Sequence, residues 1–174
     1  MSMVRLTAGT WRGRKLEIPP GIRPTTELAR KAAFDILGEA VVGARVLDAC
    51  AGSGAYGLEA LSRGAAHATF VEADRRVARV LRGNVERIGA GDRAFVEETT
   101  VARFSSIPSS FDVIFHDPPF KGDSESDLIL LLSLVRAGGW LIHERGDDAL
   151  PAPGGVSPAD VRRYGLTRFL IYRP

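Results

Sequence analysis

The stretch RVLDACAGSGAYGLEALSRG, residues 45–64, reads as a strand, a tight turn and a helix in immediate succession. Arg45 to Ala49 is a short apolar run of the kind that forms a buried strand, and the run from Ala55 to Gly64 is helical in pattern. Between them, Asp48-Ala49-Cys50-Ala51-Gly52-Ser53-Gly54-Ala55-Tyr56-Gly57 satisfies G-x-G-x-x-G. Glycines at these positions let the backbone turn sharply and approach a ligand at the carboxyl edge of a parallel sheet. Glu72, twenty residues after Gly52, ends the next strand where a ribose diol would lie.

Downstream the same alternation continues through HATFVE, DRRVARVLRGNVERIG, RAFVE, FDVIFHD, DLILLLSLVRAG and GWLIHE. Strands without polar alternation, joined by helices, predict an α/β fold with a mostly parallel sheet covered on both faces. Asp74 is placed to cap the helix that follows Glu72. VRRYGLTRFLIYR, after a turn-rich connector at 151–158, predicts a closing antiparallel pair, giving seven strands in all. Upstream, Val4 to Ala8 and Lys15 to Ile18 predict a β-hairpin around a turn at Gly9 to Gly13. Residues 1–24 are read as this N-terminal arm and 25–174 as the main domain. Thr25 or Thr26 caps a helix ending at Leu37 before Gly38, with Leu28, Ala32, Ile36 and Leu37 on its inner face and Arg30 and Lys31 off it.

The glycine loop and Glu72 fit a nicotinamide dinucleotide as well as S-adenosylmethionine (SAM). Asp48 separates the two, because a carboxylate beside the loop repels a pyrophosphate but suits the ammonium and sulfonium charges of SAM. The chain also ends soon after the sheet, leaving little room for the substrate domain of many dehydrogenases. The strand at Phe111 to His116 delivers Asp117-Pro118-Pro119-Phe120 to the same sheet edge. An exocyclic amine on a nucleobase is a poor nucleophile, since its lone pair is delocalised into the ring. The Asp117 carboxylate and the Pro118 carbonyl offer acceptors that localise that pair, Pro118 and Pro119 hold them in place, and Phe120 offers a stacking face.

Composition narrows the classes further. The 174 residues are 45% hydrophobic and 25% charged, as in one compact domain. No apolar run approaches the length of a membrane span, and MSMVRLTAGTWRGRKL lacks the core of a secretory signal, so a cytoplasmic location without membrane contact is expected. One cysteine, Cys50, and no clustered His or Cys argue against disulfides and metal. The net charge of +2 conceals a local excess, because Met1 to Lys31 carries seven Arg or Lys against two Glu. With Trp11 among Arg12, Arg14 and Lys15, that segment suits a phosphate backbone. The chain's 20 Arg against three Lys is a skew that codon composition alone also produces.

The combination of TAGTWRGRKLEIP, GIRPTTELARKAAFDIL, LDACAGSGAYGLEALSRGA, FVEADR and FDVIFHDPPF resembles the RsmD-type 16S ribosomal RNA guanine 2-amino methyltransferases. The resemblance runs from Met3 through Phe120 and more weakly into the C-terminal strands. It implies the Rossmann-like class I SAM methyltransferase fold, with SAM converted to S-adenosylhomocysteine and no metal. It also implies 16S rRNA as partner, in the small subunit or an assembly intermediate; a monomer is expected. It assigns Asp48, Ala49, Gly52, Ser53 and Gly54 to the methionine end of SAM and Glu72 to the ribose. Asp117, Pro118, Pro119 and Phe120 take the target base, and Trp11, Arg12, Arg14, Lys15 and Arg23 meet RNA. Where the family often has Asp or Asn near the adenine, this chain has Glu97-Glu98-Thr99-Thr100, leaving Thr100 as the candidate.

Other residues carry less. Cys50 sits in the cofactor turn rather than beside the base loop, which disfavours a thiolate attacking a pyrimidine ring. His116 and Glu144 are read as a structural histidine and a solvated strand-end acid. A DNA amino-methyltransferase would use the same clamp, and a noncatalytic assembly factor would keep only the fold, but the intact Asp117-Pro118 argues for catalysis.

Overall fold

The computed structural model of the chain describes residues 2–119, 125–146 and 155–174. A short antiparallel hairpin, β1 (Met3–Arg5) and β2 (Lys15–Glu17), precedes helix α1 (Glu27–Leu37). Then β3 (Arg45–Ala49), α2 (Ala55–Ser62), β4 (His67–Val71), α3 (Arg75–Ile88), β5 (Ala94–Glu97) and β6 (Phe111–His116) follow in βα alternation. Helix α4 (Glu125–Leu134), β7 (Val135–Gly146), β8 (Asp160–Tyr164) and β9 (Thr167–Tyr172) complete the fold. The second sheet has seven strands in the order β5-β4-β3-β6-β7-β9-β8. The first five of these run parallel, while β9 is antiparallel to both β7 and β8.

Strand alternation divides the core into two layers. Val46, Val113, Phe115, Phe169 and Ile171 face α1, α2, α3 and the hairpin, whereas Leu47, Ile114, Leu141 and Leu170 face α4. On the first face Leu6 and Leu16 of the hairpin segment are 1% and 0% exposed within the same cluster as Phe34 and Leu58. At about 1.5–3 kcal/mol for each fully buried side chain, the hairpin is anchored by hydrophobic packing as well as by polar bonds. No helix of the described residues is long and apolar enough to cross a membrane.

The caps at Thr26, Gly38 and Asp74 stand as the sequence predicts: Thr26 accepts from the Ala29 N–H, and Asp74 from those of Arg76 and Val77. The inner face of α1 holds Ala32 and Leu37, with Ile36 half-buried, as expected, but departs from expectation at two positions. Leu28 is 65% exposed, while Arg30 is fully buried beside Ala29, Ala33 and Phe34. Arg30 is drawn inward by a buried partner, Glu59 of α2, at 3.2 Å. A second difference lies after α4, where the helical pattern reaches Gly138 but the chain becomes strand at Val135. Val135 pairs with Phe111 and Trp140 with Val113, so the intervening residues form an irregularity that Gly138, with φ of 73°, accommodates.

Candidate active site

The glycine loop leaves β3 at the carboxyl edge of the sheet and turns through three positive φ values, at Cys50, Gly52 and Gly54. Its backbone is held from two sides. The Ala51 N–H donates to the Val71 carbonyl at 2.9 Å, and the Gly52 N–H donates to Glu72 Oε2 at 2.9 Å. Glu72 Oε1 accepts from the Asp74 N–H, so one carboxylate joins the glycine loop to the start of α3. From below, the buried Asn84 side chain donates to the Ser53 carbonyl at 3.0 Å and to the Glu17 carbonyl at 2.9 Å. It therefore ties the hairpin to the cofactor turn.

Asp48 lies behind the loop, where its Oδ2 accepts the Gly57 N–H of α2 at 2.8 Å. Burial pushes its carboxyl well above the usual carboxylate range; the Gly57 bond opposes that rise and the charges of Asp117 and Glu72 add to it. Ala49 and Gly54 are likewise behind the loop surface. A Cβ at Gly54 would stand 2.3 Å from Leu81 Cδ1. The Gly52 Cβ direction is open, with Ile22 Cγ2 at 3.5 Å its nearest neighbour. Burial, then the charges of Glu72 and Asp117, push the Cys50 thiol up to about 12, which disfavours a nucleophilic thiolate there.

Asp117, Pro118 and Pro119 follow β6 on the same edge, and Phe120 lies outside the described residues. Asp117 Oδ2 accepts the Thr25 hydroxyl at 3.1 Å. Burial, reinforced by the charge of Glu144, raises the Asp117 carboxyl to about 7, while the Thr25 bond and Arg23 restrain the rise. Glu144 is only 7% exposed. Its Oε2 accepts the Tyr56 hydroxyl at 2.6 Å, and its Oε1 the Thr167 hydroxyl at 3.4 Å. Burial raises the Glu144 carboxyl, against the opposing effects of Tyr56, Arg23 and Thr167.

These elements surround one cavity of about 760 Å³, within the range of small-molecule sites. Gly52 and Ser53 form part of its wall with Glu72, Thr99 and Thr100, and Asp117, Pro118, Pro119 and Glu144 line it too. Arg23 and Thr25, from the segment that joins the hairpin to α1, also line it. From the sequence, Arg23 is expected on the RNA side and Thr25 only as a cap, and Tyr56 carries no expected part. Glu144, expected from the sequence to be a solvated strand-end acid, is instead buried within β7, and because it follows His143, which pairs with His116, it stands level with Asp117.

The remaining hairpin residues lie away from the cavity lining. Arg12 and Lys15 are exposed. Arg14 is exposed as well, and it also donates to the Ile88 and Arg87 carbonyls, both at 2.9 Å, at the end of α3. Trp11 is half-buried, with the Arg93 guanidinium 5.2 Å from its ring centre. Among the described residues no cluster of His, Cys, Asp or Glu is arranged to hold a metal ion.

The family described as Conserved hypothetical protein 95 matches residues 4–173. The ribosomal RNA small subunit methyltransferase D of Escherichia coli K12 is 41% identical over 81% of this chain and 71% of its own length. The protein of the same name from Haemophilus influenzae is 38% identical over 98% of this chain and 93% of its own. The solved structure of Escherichia coli yhhF superposes with a TM-score of 0.84 at 37% identity, covering 98% of this chain and 97% of the other. At fold level, an RNA methyltransferase from Salinibacter ruber in complex with S-adenosylhomocysteine gives a TM-score of 0.68 at 14% identity, over 86% and 92% of the chains. With its sheet order, its glycine loop and its strand-end acids, the chain has the class I SAM methyltransferase fold and belongs to the RsmD-type family.

Proposed function

We propose that this protein methylates ribosomal RNA, transferring the methyl group of SAM to the exocyclic 2-amino group of a guanine in 16S rRNA of the small subunit. The observation that carries the reading is the single cavity in which Gly52, Glu72 and Thr100 share walls with Asp117, Pro118 and Glu144. One region suits the adenosyl and methionyl parts of SAM, and the other suits a planar base bearing N–H donors.

Bound SAM supplies an electrophilic methyl carbon on a sulfonium. Glu72 stands where a ribose diol can donate to it, and Gly52, lacking a side chain, lets the methionine moiety approach the backbone. Thr99 and Thr100 offer polar groups to the adenine. Asp48, bonded to Gly57 behind the loop, holds the turn against α2 rather than contacting the ligand directly. At the other end, the Asp117 carboxylate and the Pro118 carbonyl each accept one N–H of the target amine, which turns its lone pair toward the methyl. The nitrogen–carbon bond forms as the carbon–sulfur bond breaks, and the amine proton passes to Asp117 or to water. Thr25 orients Asp117, and Arg23 at the mouth offsets the two buried negative charges. The exposed Arg12 and Lys15 suit contacts to the phosphate backbone.

The test is incubation with methyl-labelled SAM and small subunits lacking the modification, followed by digestion and identification of the labelled base. N2-methylguanine is the expected product. Label confined to DNA offered in parallel, or to another base, would overturn the substrate assignment.

A further inference from the structure

Asp117, just past the end of β6, and Glu144, within the adjacent parallel strand β7, stand at the same level, since each follows one member of the paired His116 and His143. Neighbouring strands stand about 4.8 Å apart, so the two carboxyl groups reach the same plane of a bound base. They are held differently. Asp117, which lines the cavity, is met by Thr25 at one oxygen, whereas Glu144 receives the Tyr56 hydroxyl at 2.6 Å on one oxygen and the Thr167 hydroxyl at 3.4 Å on the other. A carboxylate oxygen has two lone-pair sites, so a Glu144 that receives one hydroxyl on each oxygen keeps acceptor capacity on the cavity side. The two hydroxyls favour its hydrogen-bond-accepting carboxylate form, opposing the burial that raises this carboxyl.

We infer that Glu144 selects the base by accepting the ring N1–H of guanine beside the amine held by Asp117. This rests on the guanine 2-amino reading above and deepens it. Guanine presents two neighbouring kinds of donor on this edge, the ring N1–H and the exocyclic N2–H. Adenine presents a lone pair at its N1, which would face the Glu144 carboxylate and be repelled. The discrimination therefore comes from the fixed Glu144 and not from the Asp117-Pro118 acceptors, which any exocyclic amine satisfies. A site built to bond a polar hydrogen rejects an analogue lacking it far more strongly than an apolar pocket rejects a change of shape.

The probe is 2-aminopurine, which keeps the 2-amino group and lacks the N1–H. Small subunits are reconstituted with 16S rRNA carrying guanine or 2-aminopurine at the position identified by the labelling experiment. The wild-type protein is expected to methylate guanine with kcat/KM at least about 100-fold higher. Glu144→Gln, whose amide can donate to an unprotonated N1, is expected to narrow that ratio at least tenfold, with SAM affinity by calorimetry within about threefold of wild type. Equal wild-type rates on the two bases, or a ratio unchanged in Glu144→Gln, overturns the assignment of Glu144 while leaving the methyl-transfer reading intact. Absence of guanine labelling by the wild-type protein would instead overturn that prior reading. Should Glu144→Gln fail to fold, Tyr56→Phe supplies the second variant, because removing one of the two hydroxyls loosens Glu144 and is expected to reduce the ratio.

Discussion

Arg30 and Glu59 form an ion pair between α1 and α2 in which both side chains are completely buried, with Nε 3.2 Å from Oε2. Glu59 also accepts the Thr7 hydroxyl at 2.6 Å, the Thr7 and Ala8 N–H groups at 2.8 and 3.0 Å, and Arg63 at 2.9 Å. Arg30 reaches further, donating to the Arg5 carbonyl. One carboxylate thus binds the hairpin to two helices. Replacing it leaves a buried guanidinium and the hairpin donors without their acceptor. Glu59→Ala is expected to cost about 3–5 kcal/mol in chemical denaturation, as for other broken buried pairs. A loss below about 1 kcal/mol would place the anchorage of the hairpin in its apolar contacts alone.

Arg30 also marks where the sequence was opaque. Read along the helix, Leu28 belongs inside and Arg30 outside, and only the charge of Glu59, 29 residues away, reverses them. The local signals were legible: Thr26, Gly38 and Asp74 act through bonds to residues a few positions away. The glycine loop and the Asp117-Pro118 turn were legible for the same reason, each being a contiguous segment at a strand end. Tyr56 and Glu144 lie 88 positions apart, and their bond exists only once α2 has packed on the sheet beside β7.

Asp117 gives a prediction in two parts. Accepting an amine N–H requires the carboxylate, and burial raises this group to about 7. Methyl transfer, followed as kcat/KM for RNA, is expected to rise with pH and level off above about 7, and Asp117→Asn is expected to lose on the order of 100-fold or more and to lack that limb. Stability moves the opposite way. The folded protein keeps this proton to about 7, whereas the unfolded chain releases it near the usual aspartate value of about 4. Folding therefore takes up a proton between these limits, and stability from this group falls as pH rises through the window. Asp117→Asn avoids burying the charge, so its Tm at pH 8 is expected to lie a few degrees above wild type. A lower Tm at pH 8 would show that Asp117 is stabilised by its partners more than it is penalised by burial.

Arg12 and Arg14 share an exposed segment, and Arg14 is bonded to the body of the protein as well. Arg14 bonds two carbonyls at the end of α3, where a cation also opposes the helix dipole. Arg14→Ala is expected to lower stability by about 1–2 kcal/mol in urea titration. Arg12 is exposed, and Arg12→Ala is expected to leave stability within about 0.5 kcal/mol. Its effect belongs in RNA affinity, with the slope of log K against log salt falling by about 1. An unchanged slope would remove Arg12 from the RNA contact surface.

Gly57 is the third glycine of the loop motif, and it serves packing rather than a left-handed turn. Positive φ values occur at Gly52 and Gly54, but not at Gly57. A Cβ at Gly57 would lie 2.3 Å from Phe70 Cε1 and 2.7 Å from Cζ, on a phenylalanine that is itself fully buried on β4. The glycine therefore lets α2 sit close against the sheet, which also brings the Gly57 N–H within 2.8 Å of Asp48. Gly57→Ala is expected to cost about 1–3 kcal/mol by overpacking and to weaken SAM binding through the displaced loop. Because the obstacle is one side chain, Phe70→Leu in the same protein should return part of the lost stability, giving a coupling of at least about 0.5 kcal/mol between the two changes. Strictly additive losses in denaturant titrations would mean that the Phe70 ring is not what limits the approach of α2.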